Sequence, residues 1–329
     1  MIRIGLVGAG HLGKIHLKLL GEIPDFQVVG FFDQDPDVQA KVAEHYGLKA
    51  YPDFETLLQD VDAIDLVVPT LHHHAMAKEV LEAGKHVFIE KPVTHTVAEA
   101  ADLLAMSERA PHVVVQVGHV ERFNPAMLAI DPDRVKPVFV EGHRLAMYNP
   151  RGTDVSVILD LMIHDLDIVL SLIQSPVTEI HASGVAVISD SPDIANARIQ
   201  FANGCVANLT ASRISIKNMR RLRFFQKNNY LALDFLKKET EFLTLSSAPV
   251  DPAPGIMQFP LETGNQTKYL RYEKPEVESV NAIKMELEEF AKSILHQAPV
   301  RVTLADGVAA VEVAHQILTK IDQGLAHLG

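Results

Sequence analysis

The chain has 329 residues, 47% of them hydrophobic, with a formal net charge of −12 and one cysteine. That length suits two domains rather than one core, and the acidic balance excludes the basic surplus that nucleic acid or an anionic membrane surface requires. No apolar run approaches the ~18 residues of a membrane span, Cys205 has no second cysteine to pair with, and the N-terminus enters a strand without a basic or apolar leader, which together predict a cytoplasmic protein.

The first 120 residues predict alternating strand and helix. Strands are expected at Ile2–Val7, Val28–Phe32, Ala63–Val68, His86–Ile89 and Val113–Val117, short runs rich in Val, Ile or Phe, as strands buried on both faces should be. Helices are expected over 36–46 after Asp35-Pro36, over 72–83 before Gly84, and over 95–109 with Thr94 as N-cap. This alternation specifies an α/β domain, a doubly wound parallel sheet of the Rossmann kind, over 1–120.

Between the first strand and the first helix stand Gly8, Gly10 and Gly13, a G-x-G-x-x-G with His11 and Leu12 inside it. In that context the motif is a dinucleotide site: Gly8 allows the tight turn, Gly10 the approach of a pyrophosphate, and Gly13 close helix–strand packing. The helix N-terminus offers N–H groups and a positive dipole end to the phosphates. Asp33 ends the second strand, where a carboxylate accepts from the adenosine ribose hydroxyls and repels a 2′-phosphate. Gln34 and Asp35 follow it with no Arg or Lys, which predicts NAD rather than NADP. The competing readings are a ligand-free glycine turn and a simple capping Asp; position favours the cofactor roles.

After residue 120 the rhythm changes. A helix is expected over 158–173, then strands over 178–188, 194–202, 205–215, 219–226, 229–236 and 240–246, with turn signals at Asn203-Gly204 and Asn228-Asn229. This predicts an α+β domain over 121–329 with a mainly antiparallel sheet. Residues 247–276 are expected to be a surface loop, and two helices, 278–296 and 303–323, close the chain. The apolar face of the last helix is able to return to either domain. One sheet face lacks a predicted helical cover, so a homo-oligomer through that face is expected. The basic cluster Lys217, Arg220, Arg221 and Arg223 reads as outward charges.

The helix over 158–173 carries Asp160, His164, Asp167 and Ser171 at i, i+4, i+7 and i+11, on one face. Its remainder is apolar apart from Asp165 on the far side, so the helix is expected to be buried, with its stripe against water, a partner or a substrate. Pattern alone leaves a solvated face and a site equally open. A second motif, Glu90-Lys91-Pro92, ends a buried strand, where open α/β sheets place ligands.

With the glycine turn and Asp33, these motifs resemble the Gfo/Idh/MocA oxidoreductase family, from the first strand to the last helix. The segment Pro69–Pro92, with His73 eleven residues before Gly84, is similar to that family's, and Asp160 with His164 matches its D-x-x-x-H signature. The resemblance implies an NAD-dependent dehydrogenase of a sugar secondary alcohol. Pro69, Thr70, His73, Glu90 and Lys91 are expected to line the cofactor beside the glycine turn, His11, Leu12 and Asp33. Lys91, Asp160 and His164 are implied as catalytic. His164 suits a base near neutral pH, Lys91 binds the same hydroxyl, steadies the alkoxide or relays the proton, and Asp160 binds a neighbouring hydroxyl or orients the group. The division of labour between His164 and Lys91 stays open.

Residues 118–126 and 144–160 resemble the branch of the family that oxidises UDP-N-acetylglucosamine-type nucleotide sugars at C3. On that resemblance Arg122, Arg144 and Arg151 offer donors to a diphosphate or pyranose, and Asn124 and Tyr148 reach hydroxyl or acetamido groups. Ordinary ion pairs are the alternative for each arginine. The competing functions are dehydrogenation of a free sugar or polyol such as inositol, and non-catalytic NAD sensing. No metal site is expected at His72-His73-His74, because neighbouring helical residues point in different directions.

Overall fold

The computed structural model describes residues 1–148, 155–249, 251, 255–264 and 266–325. The chain divides into two compact units, Met1–Phe123 with Asn281–Glu312, and Asn124–Val280 with Val313–Gly329. The expected second domain therefore differs in content, since residues 281–312 cluster with the first unit.

In the first unit the order is β1 (Ile2–Val7), α1 (His11–Leu20), β2 (Phe26–Phe32), α2 (Pro36–Tyr46), α3 (Phe54–Asp60), β3 (Ala63–Leu66), α4 (His73–Glu82), β4 (His86–Glu90), α5 (Val97–Arg109) and β5 (Val115–Gly118). The strands form a five-stranded sheet in the order β2-β1-β3-β4-β5, every pairing parallel. The order reverses between β1 and β3, and that switch point opens a crevice beyond the strands' carboxyl ends. Helix α5 starts later than expected: Thr96, not Thr94, is its cap, in a reciprocal capping box with Glu99. Thr94 instead donates to the Thr96 carbonyl at 2.9 Å. Helix α3 escaped the sequence reading because it is short; Asp53 caps it at the Thr56 N–H.

The second unit holds α6 (Pro125–Leu128), β6 (Phe139–Leu145), a π-helical turn (Ile158–Met162) running into α7 (Ile163–Ile173), and strands β7 (Val177–Val185), β8 (Ile194–Phe201), β9 (Val206–Ser212), β10 (Met219–Gln226), β11 (Asn229–Asp234), β12 (Glu239–Ser246), β13 (Ile256–Thr263) and β14 (Gln266–Glu273). The sheet is nine-stranded, in the order β13-β14-β12-β11-β10-β6-β9-β8-β7. It is antiparallel except where β6 runs parallel to β9. The expected loop over 247–276 is corrected: it contains the hairpin β13–β14. Pro260 falls on β13, the edge strand, where a missing N–H removes no ladder bond that the sheet needs. One face buries Ala197, Ile199, Leu209, Leu222, Phe224 and Leu233, and much of the alternate set is half-exposed, as in an antiparallel sheet covered on one side. In the basic cluster, Arg221 and Arg223 form cross-strand pairs with Glu241 and Glu141.

Two helices follow, α8 (Ala282–His296) and α9 (Leu304–Leu325). Leu287, Phe290 and Ala291 of α8 complete the apolar core that Ile2, Ile4, Leu17, Leu20 and Phe88 build in the first unit. Residues 304–312 of α9 belong to the first unit and 313–325 to the second.

A charge pair is buried in the second unit. Arg144 of β6 donates to Asp165 of α7 from Nη2 at 2.8 Å and from Nε at 3.1 Å, and both side chains are almost fully enclosed. This corrects the expectation of a substrate-facing Arg144: the guanidinium is committed to the fold. Asp165→Ala leaves that cation buried without its carboxylate, so the variant should lose roughly 3–5 kcal/mol of stability. Urea unfolding followed by far-UV circular dichroism measures it, as the chain has no tryptophan; a change below about 1 kcal/mol would contradict the assignment.

Candidate active site

Two of the glycines that build the turn after β1, Gly8 and Gly13, leave no room for a side chain. Gly8 adopts φ +94°, and a Cβ there would lie 2.6 Å from the Val67 carbonyl oxygen. A Cβ on Gly13 would lie 1.9 Å from the Gly8 carbonyl oxygen, so α1 rests directly on the turn. Gly10 differs: a Cβ there meets nothing within 4 Å. It is the N-cap of α1 and supplies no side-chain cap, which leaves open space before the helix's positive end. That combination fits a pyrophosphate. His11 and Leu12 are exposed in the first helical turn.

Asp33 closes the other side. One carboxylate oxygen accepts from the Ala9 N–H at 2.7 Å and the other from the Asp35 N–H at 2.9 Å. The acid thereby ties the end of β2 to the glycine turn. Beside it lies a cavity of about 280 Å³, lined among others by Gly8, Phe32, Gln34, Pro69 and Met76, with no Lys or Arg in its wall. A ribose with free hydroxyls fits this carboxylate-bearing wall, and a 2′-phosphate does not.

Pro69 and Thr70 start the 3-10 turn Thr70–His72 that leads into α4. His73, expected beside the cofactor, is buried. Its Nδ1 is 2.8 Å from the Pro92 carbonyl oxygen and its Nε2 2.8 Å from that of Val68. It acts as a strut between the loops that follow β3 and β4. Burial draws its pKa below that of free imidazole, against the opposing pull of the Val68 and Pro92 carbonyls. The three adjacent histidines have separate surroundings: His72 lines the cavity, His73 is the strut, and His74 contacts Asp102 at 2.8 Å.

Lys91 follows the last residue of β4 and is half-buried. Glu90 turns inward: its Oε2 accepts from the Lys91 N–H at 3.1 Å, and its Oε1 lies 3.3 Å from His16 Nε2. Sequence reasoning missed this underside. The available signal was a histidine, His16, on the buried stripe of α1.

In the second unit Asp160 lies in the π-helical turn and His164 in the first turn of α7. The regular stripe expected from a 3.6-residue period is thus corrected, because the first residues are wound more widely. Such turns cluster at functional sites. Asp160 and His164 are half-buried, whereas Asp167 is enclosed, and Ser171 donates to the Ile168 carbonyl at 2.8 Å. The four polar residues therefore do not form one wetted stripe.

The remaining substrate candidates divide. Tyr148 is exposed. Arg122 lies 3.6 Å from Asp306 within the first unit. Asn124 is buried; its Nδ2 donates to the Phe235 carbonyl at 3.0 Å, and its Oδ1 accepts from the Ala126 N–H at 3.0 Å, capping α6. Arg151 lies outside the described residues.

Residues 2–119 match the oxidoreductase family with the NAD-binding Rossmann fold, and residues 137–228 match the GFO/IDH/MocA C-terminal domain. The chain belongs to the Gfo/Idh/MocA family. It is an NAD-dependent oxidoreductase. Among its relatives, the UDP-N-acetylglucosamine 3-dehydrogenase of Acidithiobacillus ferrooxidans is 35% identical over 95% of this chain and 94% of its own length. The crystal structure of that enzyme superposes with a TM-score of 0.87, covering 98% of both chains. The myo-inositol 2-dehydrogenase of Thermotoga maritima is 24% identical over 98% of this chain and 97% of its own. Among the described residues, no helix is long and apolar enough to cross a membrane.

The contrast between two glycines is testable. Gly10→Ala should fold normally yet lose NAD affinity by about tenfold or more, because its methyl group enters the cofactor's space at a cost of at least about 1.4 kcal/mol. Gly13→Ala should fail to yield stable protein, because its methyl group collides with backbone. Thermal unfolding and NAD titration calorimetry distinguish the two; unchanged NAD binding in Gly10→Ala contradicts the cradle.

Proposed function

We propose that the chain oxidises the C3 hydroxyl of a UDP-N-acetyl-aminosugar such as UDP-N-acetylglucosamine. The observation that carries this reading is the extent of the likeness to the A. ferrooxidans 3-dehydrogenase, 35% identity over nearly the whole of both chains. Lys91, Asp160 and His164 supply the chemistry that such a reaction needs. When bound, NAD+ supplies the acceptor for the hydride that leaves the carbinol carbon. His164 takes the hydroxyl proton at an imidazole nitrogen. The Lys91 ammonium donates to the same oxygen and steadies it as it becomes an alkoxide. Asp160 holds a neighbouring hydroxyl and fixes the ring's rotation. The NAD site is formed by Gly8, Gly10, Gly13 and Asp33, with His11, Leu12, Pro69 and Thr70 at its margin. Arg122 and Tyr148 serve the diphosphate and the acetamido group.

The same reading makes the protein a cytoplasmic homo-oligomer, joined through the half-exposed face of the nine-stranded sheet. An association of that kind is measured by light scattering.

Absorbance of NADH should rise with UDP-N-acetylglucosamine and NAD+, and far less with N-acetylglucosamine or myo-inositol at equal concentration. Lys91→Ala and His164→Asn should each lower kcat by roughly 10²–10⁴-fold while far-UV circular dichroism stays unchanged. Faster turnover of myo-inositol replaces this reading with that of a polyol dehydrogenase. Near-parental turnover in both variants removes the assigned roles.

A further inference from the structure

Beneath Glu90 lies a group of ionisable side chains that the hydride-transfer chemistry does not use. His16 of α1, Asp65 of β3 and Glu286 of α8 are each 0% exposed, and Glu90 is 8% exposed. His16 Nδ1 lies 2.9 Å from Asp65 and its Nε2 3.3 Å from Glu90. One ligand-type atom from each of His16, Glu90 and Glu286 lies within 4.8 Å of the others. The surroundings are apolar: the rings of His16 and Phe88 meet edge-on at 5.9 Å, and Phe88 meets Phe290 at the same distance.

Three carboxylates around one imidazole, cut off from water, leave a net charge of −2 even when the imidazole is protonated. Each uncompensated buried ion costs several kcal/mol, so a further positive equivalent is needed. Glu286 is the group that accepts it. Glu90 accepts from the Lys91 N–H, and Asp65 pairs with His16. Both Glu286 oxygens, by contrast, lack any hydrogen-bond partner. The helix that carries Glu286 is held against β5 by Gln116 Nε2, which donates to the Glu286 backbone carbonyl at 2.7 Å.

We infer that His16, Asp65, Glu90 and Glu286 form a buried proton-holding cluster that fixes the backbone at Lys91, with His16 as the cation and Glu286 as the neutral acid. The catalytic part of this inference rests on the role proposed above for Lys91; the protonation part does not. Glu90, His16, Glu286 and Asp65 are positioning residues, acting through the hydrogen bond from the Lys91 N–H to Glu90. Gly118 leaves room for them, since a Cβ there would lie 3.0 Å from the Glu90 carboxyl group.

The electrostatics agree with that geometry. Burial raises the Glu286 pKa well above the ordinary carboxyl value, and the nearby Glu90 charge adds to the effect. Burial opposes the charge on His16, but Asp65 and Glu90 outweigh it and hold the pKa well above that of free imidazole. The charged groups around α8 are His16 from α1, Asp65 from β3, Glu90 from β4, and Glu121 and Arg122 from the 3-10 turn Val120–Phe123. Arg122 is paired with Asp306, and at the outer end of α8 Lys284 is paired with Glu22.

The sign of the pH effect follows. A Glu286 proton held in the folded state and released on unfolding makes folding less favourable as pH rises from the carboxyl range towards the raised folded value. Glutamine has the shape of the neutral acid and no such proton. Glu286→Gln should therefore raise Tm at pH 8 by about 2–4 °C or more and change it little at pH 5. Glu90→Ala should lower kcat by at least about tenfold, and Glu90→Gln, whose amide oxygen still accepts from the Lys91 N–H, should restore most of it. A Glu286→Gln variant destabilised equally at both pH values, or parental stability that rises with added Zn²⁺ and falls with chelator, overturns the protonation. Unaltered kcat in Glu90→Ala overturns the positioning. If the parental enzyme oxidises no sugar nucleotide, the proposed function fails, and the two Tm measurements still decide the protonation.

Discussion

The close approach of α1 to β1 is the constraint on which the first unit depends. A side chain at Gly13 would overlap the Gly8 carbonyl, and one at Gly8 would strike the backbone after β3. No rotamer change relieves a clash between a Cβ and a backbone oxygen, so the register of the helix is fixed within a fraction of an ångström. Two features follow from that one contact. The N-terminus of α1 faces the open space at Gly10, next to the turn that Asp33 holds at Ala9. Three residues beyond Gly13, about one turn along the helix, His16 points into the sheet against Asp65. A single helix thus presents its end to the cofactor and its flank to the support of Lys91.

Much of the first unit was legible because a parallel strand buried on both faces leaves an unbroken apolar run, and glycine turns leave a fixed spacing. The order of β1 to β5, the cradle and Asp33 all carry such marks. The second unit was harder to read. The hairpin β13–β14 was hidden by prolines and polar residues, which an edge ribbon tolerates because one side of its backbone needs no partner. Strand β6 left too weak a run of its own between the helices that flank it. The π turn at 158–162 is invisible to a periodicity argument that assumes 3.6 residues per turn, yet it holds Asp160. The fate of the arginines was not legible either. Arg144 and Arg122 look alike in sequence, and only the fold shows Asp165 opposite the first and Asp306 near the second. His73 and Asn124 illustrate the same gap: polar residues within a motif-rich stretch that bond the backbone around them.

The two units solve one problem in the same manner. Lys91 and His164 each sit next in sequence to a buried acid held by a cation: Glu90 beside Lys91 is held by His16, and Asp165 beside His164 is held by Arg144. Neighbouring residues on a strand point to opposite faces, and on a helix they diverge by about 100°. Anchoring the acid inward therefore aims the next side chain away from the core and limits the angles it can sample. The anchoring acid lies on a rigid element in both cases, β4 in one and α7 in the other, which suits chemistry that tolerates little misplacement. The cost is charge inside an apolar interior, and the two units meet it differently. Arg144 and Asp165 balance as one cation and one anion. The cluster at Glu90 has more acids than cations, and the proton on Glu286 reduces its excess negative charge without cancelling it. Of the two supports, the one beneath Lys91 is thus the one whose state depends on pH.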